Sequence, residues 1–384
     1  MTPLDAYSPD YAGARSRFRA LVAERGWSSE AHIVAAPGFA DGDLTIDVAR
    51  IGSPNAERLL VISSGLHGAE GFFGSAVQLA WIDLLPRNWE PPAGCGVLLL
   101  HALNPFGFAK IRRANEDNVD LNRNFLNADE FTPLRERTAI EYGPLDPYLS
   151  PASPPTSINW FPPLLGWMIL RFGLPVMQRV MPAGQYAFPK GLFFGGDQCC
   201  RSTEIVMAEM PRWLGLARFV LHLDFHTGLG PYATYKLLAS DPTGSERVNL
   251  ALDLFGRDLV KLDKETEGGY HNHGDMGEWL SRRFADRTYL YLCAEFGTYG
   301  STTVIGTLRR ENQAHQWATP DSPISRRTKA DMVDVFSPTS PGWRWPVVRH
   351  SLGLIHLALT KCAEQGILGS KIKQFARISN SLEL

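Results

Sequence analysis

Apolar positions recur at helical spacing in some stretches of the chain and alternate or run together in others, and these switches predict its elements. Tyr11 to Arg25 carries Phe18, Leu21 and Val22 on one helical face, and Gly26 ends that helix. Over residues 31–50, Ile33, Val34, Leu44, Ile46 and Val48 stand among polar neighbours and predict a hairpin leading into a sheet. Strand 59–64 opens with the apolar run Leu59 to Ile62, and Gly96 to Leu103 is a continuous apolar run of the kind that buried parallel strands show. A helix from Gly74 to Leu85 lies between them and is closed by Pro86. Arg218 to His226 alternates, with Phe219, Leu221, Leu223 and Phe225 on one side and Val220, His222, Asp224 and His226 on the other. Further strands are expected at Thr234–Leu238 and Thr288–Ala294. Helices are expected at 203–214, 245–260, 275–284 and 307–317, then a Pro/Ser-rich linker at 320–342 and a C-terminal helix at 345–368.

From Leu126 to about Gly196 the pattern fades and prolines recur, with one short apolar helix expected at Leu164–Val180. A structureless loop of that length inside a compact domain is uncommon. The segment 126–200 is therefore read as a Pro-rich insertion packed on the domain, in the position of a lid. The expectation is one domain over residues 1–384, of α/β class, with a mixed, mostly parallel central sheet flanked by helices.

Composition narrows the function. The 384 residues carry a net charge of -2, which gives no general attraction to nucleic acid. The five cysteines show no C-x-x-C spacing, so neither a disulfide framework nor a cysteine-ligated zinc is expected. Asp5 and Asp10 come early with no apolar segment, so no signal peptide is expected and the compartment is read as cytoplasmic. The longest uncharged stretch, Pro147 to Leu170, is broken by prolines and serines and reads as a loop, with no membrane partner expected.

Four predicted strands end in polar motifs: His67 and Glu70 after 59–64, Asn104 after 97–103, His226 after 219–225, and Glu295 after 289–294. With these strands parallel, the motifs share one sheet edge, where open α/β sheets bind ligands. Two imidazoles and a carboxylate suit Zn²⁺ and leave its fourth position open. Bound water there has a pKa of about 7, and a free carboxylate such as Glu295 can move its proton. Arginines can hold a carboxylate or polarise a carbonyl.

On these residues the sequence resembles the zinc carboxypeptidase superfamily. His67 and Glu70 form H-x-x-E; Arg113-x-Asn115 and Val119-Asp120-Leu121-Asn122-Arg123-Asn124-Phe125 follow; His226 and Glu295 close the order. Tyr270, Gly274 and Glu278-Trp279 resemble the family's tyrosine loop and following helix. The resemblance implies a zinc carboxypeptidase-like, phosphorylase/hydrolase-like fold with His67, Glu70 and His226 as zinc ligands. It implies Glu295 as general base and acid, Arg113 polarising the scissile carbonyl, Asn122 and Arg123 holding the substrate carboxylate, and Tyr270 closing over the substrate. The implied substrate is a small peptide. Asp224-Phe225-His226-Thr227 instead resembles the aspartoacylase and succinylglutamate desuccinylase branch, whose substrates are N-acyl amino acids. A non-catalytic carboxylate-binding protein is a third reading, against which Glu295 speaks. A serine hydrolase using Ser63 or Ser64 lacks the G-x-S-x-G setting.

Bland roles fit several neighbours. Asp224 reads equally as a partner orienting a ligand or as a structural charge. His222 reads as a hydrogen-bonded core histidine, His271-Asn272-His273 as a solvated loop, Cys199-Cys200 as burial, and Glu204 as a charge at a helix start. Arg112 reads as a surface charge, with exchange of roles with Arg113 left open. Arg123 could instead pair internally with an acid such as Asp120.

Overall fold

A computed structural model of the chain describes residues 2–262 and 273–379. Eight strands form one sheet: β1 (Ser28–Ile33), β2 (Thr45–Gly52), β3 (Arg58–Ser64), β4 (Cys95–His101), β5 (Phe219–Gly228), β6 (Tyr235–Ala239), β7 (Val260–Leu262) and β8 (Thr288–Gly297). Their order is β1-β2-β4-β3-β5-β8-β6-β7. The central strands β4, β3, β5 and β8 are mutually parallel, while β1, β2 and β6 add antiparallel pairings. This is the mixed, mostly parallel α/β sheet that the apolar runs predict. All four central strands are buried along nearly their whole length, because helices cover both faces.

The alternation in β5 divides the core. Phe219, Leu221, Leu223 and Phe225 pack with Leu290, Leu292, Ala294 and Phe296 of β8 against the helices Gly71–Leu84 and Pro341–Ser379. On the opposite face the parallel register sets His222 beside Tyr291, Asp224 beside Cys293, and His226 beside Glu295. That face starts apolar at Val220 and Tyr289 and ends in titratable groups at the carboxyl edge. One period-2 pattern thus makes both the core and the approach to the site.

Three stretches differ from the sequence expectation. The supposed linker at 320–342 contains the helix Pro323–Phe336. Its Ser322 hydroxyl accepts the Ser325 N–H, Pro323 occupies the first turn, and Met332, Val335 and Phe336 bury one face. The helix expected over 245–260 stops at Phe255, where Gly256 takes φ +82°, and Val260–Leu262 becomes a strand. The 126–200 stretch is largely helical, with helices at Phe131–Tyr142, Asp146–Leu149, Phe161–Phe172 and Leu174–Ala183. The expected single helix at 164–180 is split at Gly173. The uncharged stretch expected to be a loop contains most of Phe161–Phe172. Prolines in the first turn of three of these helices start them, so frequent proline did not mean absent structure.

Candidate metal centre

β3 delivers the chain to Gly65, whose φ of +66° and backbone approach to Ala102 turn it sharply. His67 then leads into a single 3-10 turn, Gly68–Glu70. A Cβ on Gly68 would fall 2.0 Å from the Gly107 backbone, so two loops meet there with no room for a side chain. The Gly68 and Ala69 amides donate to the Arg113 and Arg112 carbonyls at 3.2 and 2.7 Å. Asn104 fastens the same corner, accepting the Gly107 N–H at 2.8 Å and donating to the Arg113 carbonyl at 3.1 Å. Asn104 therefore shares the sheet edge but positions backbone and does not line the cavity.

His67, Glu70 and His226 converge, each offering one ligand atom, with these atoms within 4.8 Å of one another. Glu70 spans the imidazoles: Oε1 lies 2.9 Å from His67 Nδ1 and Oε2 lies 3.1 Å from His226 Nδ1. The outer ring nitrogens face carboxylates. Asp120 Oδ1 is 3.3 Å from His67 Nε2, and Asp224 Oδ2 is 2.5 Å from His226 Nε2. Carboxylates behind ligating histidines fix the tautomer that aims the other nitrogen inward. Burial opposes the Glu70 charge, but the two histidines outweigh it and hold its carboxyl below the usual range. Two nitrogens and a carboxylate oxygen facing one point form a donor set that fits Zn²⁺.

Asp224 is anchored in turn. Its Oδ2 also accepts the Tyr291 hydroxyl at 2.9 Å, and its Oδ1 accepts Ser63 Oγ at 2.5 Å. Ser63 reaches His222 Nε2 at 2.7 Å, and His222 Nδ1 reaches the Tyr289 hydroxyl at 2.9 Å. Ser63 and His222 are fully buried, so this serine braces the site and has no access to substrate.

Glu295, in register with His226, lines the same cavity. Its Oε1 accepts the Leu229 N–H at 2.8 Å. Burial first, then the Glu70 charge, pushes its pKa up to about 7, against the pull of His226. A carboxyl poised there can take and return a proton near neutral pH. Arg113 lines the cavity too, with Nε 2.8 Å from Asp120 and Nη1 3.8 Å from Glu70, and its guanidinium over the Phe193 ring. Arg112 points away and is buried, contrary to the surface-charge expectation, because Glu311, Asn118 and Asn312 receive it. Asn122 and Arg123 both line the cavity. Asn122 Oδ1 accepts the Met276 N–H at 3.0 Å, and Arg123 Nη1 donates to the Asn122 carbonyl at 2.7 Å. Tyr270, like His271 and Asn272, lies outside the described residues.

The cavity holds about 180 Å³. Met181, Phe193, Val304, Leu308 and Phe336 form an apolar flank, with Ser240, Asp275 and Cys293 among its polar lining. The sequence reading missed Asp120 as the partner of His67 and Arg113, and Tyr291 as an anchor of Asp224. The strict alternation Tyr289, Tyr291, Cys293, Glu295 carried the second signal.

The chain belongs to the family described as "Protein of unknown function (DUF2817)", whose model matches residues 7–350. No curated protein sequence matches it. Solved structures similar to it include the carboxypeptidase A from Helicoverpa armigera, at 12% identity and TM-score 0.45, covering 86% of this chain and 74% of that one. The metallo-carboxypeptidase from Burkholderia cenocepacia gives 12% and 0.39, with coverages of 87% and 67%. The metallo-carboxypeptidase from Pseudomonas aeruginosa gives 14% and 0.37, with coverages of 88% and 69%. The chemistry of the site rests on the chain's own residues.

Proposed function

We propose that the chain is a zinc-dependent hydrolase of an amide bond adjacent to a free carboxylate. The observation that carries this reading is the pairing of the His67, Glu70 and His226 donor set with a separate carboxyl, Glu295, held near neutrality in the same cavity. His67 Nδ1, Glu70 and His226 Nδ1 would hold the ion, which supplies Lewis acidity and a water acidic enough to act at neutral pH. Glu295 takes a proton from the attacking water and returns it to the departing amine. Arg113 lies where it can stabilise the developing oxyanion. Asn122 and Arg123 hold the substrate carboxylate, and the apolar flank excludes water from the acyl side. A metallocarboxypeptidase-like peptidase fits this arrangement. The small cavity also favours a second reading, an N-acyl amino acid deacylase, because a short acyl group and one amino acid need little room.

The test is a panel of C-terminally free peptides and N-acyl amino acids assayed with and without a chelator, beside metal analysis of the purified protein. The expectation is about one zinc per chain, chelator-sensitive turnover of one substrate class, and loss of zinc in His67→Ala. Full metal retention in His67→Ala, or turnover indifferent to chelation, overturns the assignment.

A further inference from the structure

The site accounts for the motifs at the sheet edge, but it leaves the uncharged stretch 147–170 and the helices that follow without a role. These helices, Phe161–Phe172 and Leu174–Ala183, bury Phe161, Met168, Met177 and Val180 against the domain. Their outer surface is apolar as well. Leu170 is 89% exposed, Ile158 and Trp160 are each 60% exposed, and Trp167 and Leu174 are more than two-fifths exposed. These five fall within residues 158–174 on and beside the two helices, and exposed apolar surface of this kind marks interaction sites.

Charge identifies the partner. No Asp or Glu occurs between Asp146 and Asp197, whereas Arg171, Arg179 and Lys190 do, in a chain whose net charge is -2. Arg171 and Arg179 are exposed on the same two helices. Tryptophans and leucines flanked by arginines, with no acid in the same stretch of chain, suit the boundary between lipid headgroups and acyl chains. No described helix is long and apolar enough to cross a membrane, and two short helices joined at Gly173 can only lie along a surface.

We infer that the helix pair 161–183 docks the protein on the surface of an anionic lipid bilayer. Trp160, Trp167, Leu170 and Leu174 enter the headgroup boundary, and Arg171 and Arg179 face the anionic phosphates. This revises the sequence expectation of no membrane partner, and it stands apart from the proposed hydrolysis. Met181, at the end of the second helix, lines the cavity, so a docked molecule holds its site close to the lipid surface.

Flotation of the full chain with vesicles tests the inference, using phosphatidylcholine alone and phosphatidylcholine mixed with phosphatidylglycerol. The chain should float with the mixed vesicles, less so as salt rises. Arg171→Gln with Arg179→Gln should weaken binding about thirtyfold, at about fivefold per cation. Leu170→Asp with Leu174→Asp should abolish flotation while leaving the thermal midpoint in place, since both side chains are solvent-exposed. Absence of flotation with either vesicle overturns the inference, as does equal binding to neutral vesicles. Gel filtration showing a dimer that Leu170→Asp dissociates, without vesicle binding, assigns the patch to a second copy of the chain and also overturns it.

Discussion

Arg112 and Arg113 are neighbours in sequence, and each enters a buried cluster of charge, yet the two clusters differ in kind. Around Arg112, Nε meets Glu311 at 3.0 Å, Nη2 meets Asn118 and Asn312, and Lys329 meets the same Glu311 oxygen at 2.6 Å. Burial opposes the Glu311 charge, but the two cations prevail and hold its carboxyl below the usual range. Around Arg113 a cavity opens, and burial first, then the Glu70 charge, pushes the carboxyl of Glu295 up to about 7. A closed charge cluster joins elements: it ties the 105–123 segment to the helices Ser301–Trp317 and Pro323–Phe336. An open one leaves a carboxyl close to its titration point and a surface for substrate. Burial of charge alone therefore does not mark a site; burial beside a cavity with an unbalanced carboxyl does.

The largest expected effect comes from breaking the closed cluster. Glu311→Leu leaves the buried Arg112 and the partly buried Lys329 without their acid, and loss of one partner from a buried pair costs about 3–5 kcal/mol. Urea unfolding should report a loss of that size. Zinc content in the surviving folded fraction should match the parent, since Glu311 does not line the cavity. A loss under about 1 kcal/mol, the range of exposed pairs, would erase the contrast between the clusters.

Glu295→Gln reverses the pattern. It keeps shape and removes the base, so stability should hold and zinc should stay, while turnover falls by about a hundredfold or more. Steady-state assay on the substrate found by the panel reads this directly. Unchanged turnover moves the base elsewhere and leaves the unbalanced carboxyl without a task.

Arg123→Lys sharpens the open side further. A guanidinium grips a carboxylate with two parallel hydrogen bonds, which an ammonium cannot reproduce. Losing one charge-assisted bond costs about 1.5 kcal/mol, or roughly tenfold. The loss should appear in kcat/KM for free-acid substrates and be absent for their amidated counterparts. Equal losses on both would make Arg123 an internal brace like Arg112.

Much of this contrast was legible in the sequence. The strand-end positions of His67, Glu70, His226 and Glu295 followed from apolar runs that stop at polar residues, and the sheet brings all four together. The fates of Arg112 and Arg113 were not legible, because they depend on Glu311 and Asp120, brought near by folding and by no periodicity. The Pro323–Phe336 helix was hidden for a local reason: a Ser-Pro start resembles a linker unless the apolar spacing after it is weighed. Asp120 was masked by its neighbours Asn122 and Arg123, whose residue types suggest substrate contacts more directly than a carboxylate behind a histidine does.

The smallest expected effect concerns His101, which lies in a third buried setting, opposite Asp47 on β2 and away from the cavity. It stacks on Phe18 at 4.5 Å and shares a hydrogen bond with Ser75 Oγ at 2.9 Å. Burial, then the charges of Arg19 and Arg15, lower its pKa to about 3. The folded protein keeps it neutral, whereas in the unfolded chain it titrates near its ordinary value of about 6.5. Its contribution is therefore fully present above about pH 6.5. Below that the unfolded state binds a proton that the folded state refuses, and stability falls until the pH passes the folded value of about 3. Between about pH 7.5 and 5.5 this single group removes about 1.4 kcal/mol. His101→Gln should flatten the stability change over that interval by the same amount, measured by urea unfolding at the two pH values. An unaltered pH dependence in the variant would mean that His101 takes up its proton in the folded state, with Arg15 and Arg19 too far away or too well screened to prevent it.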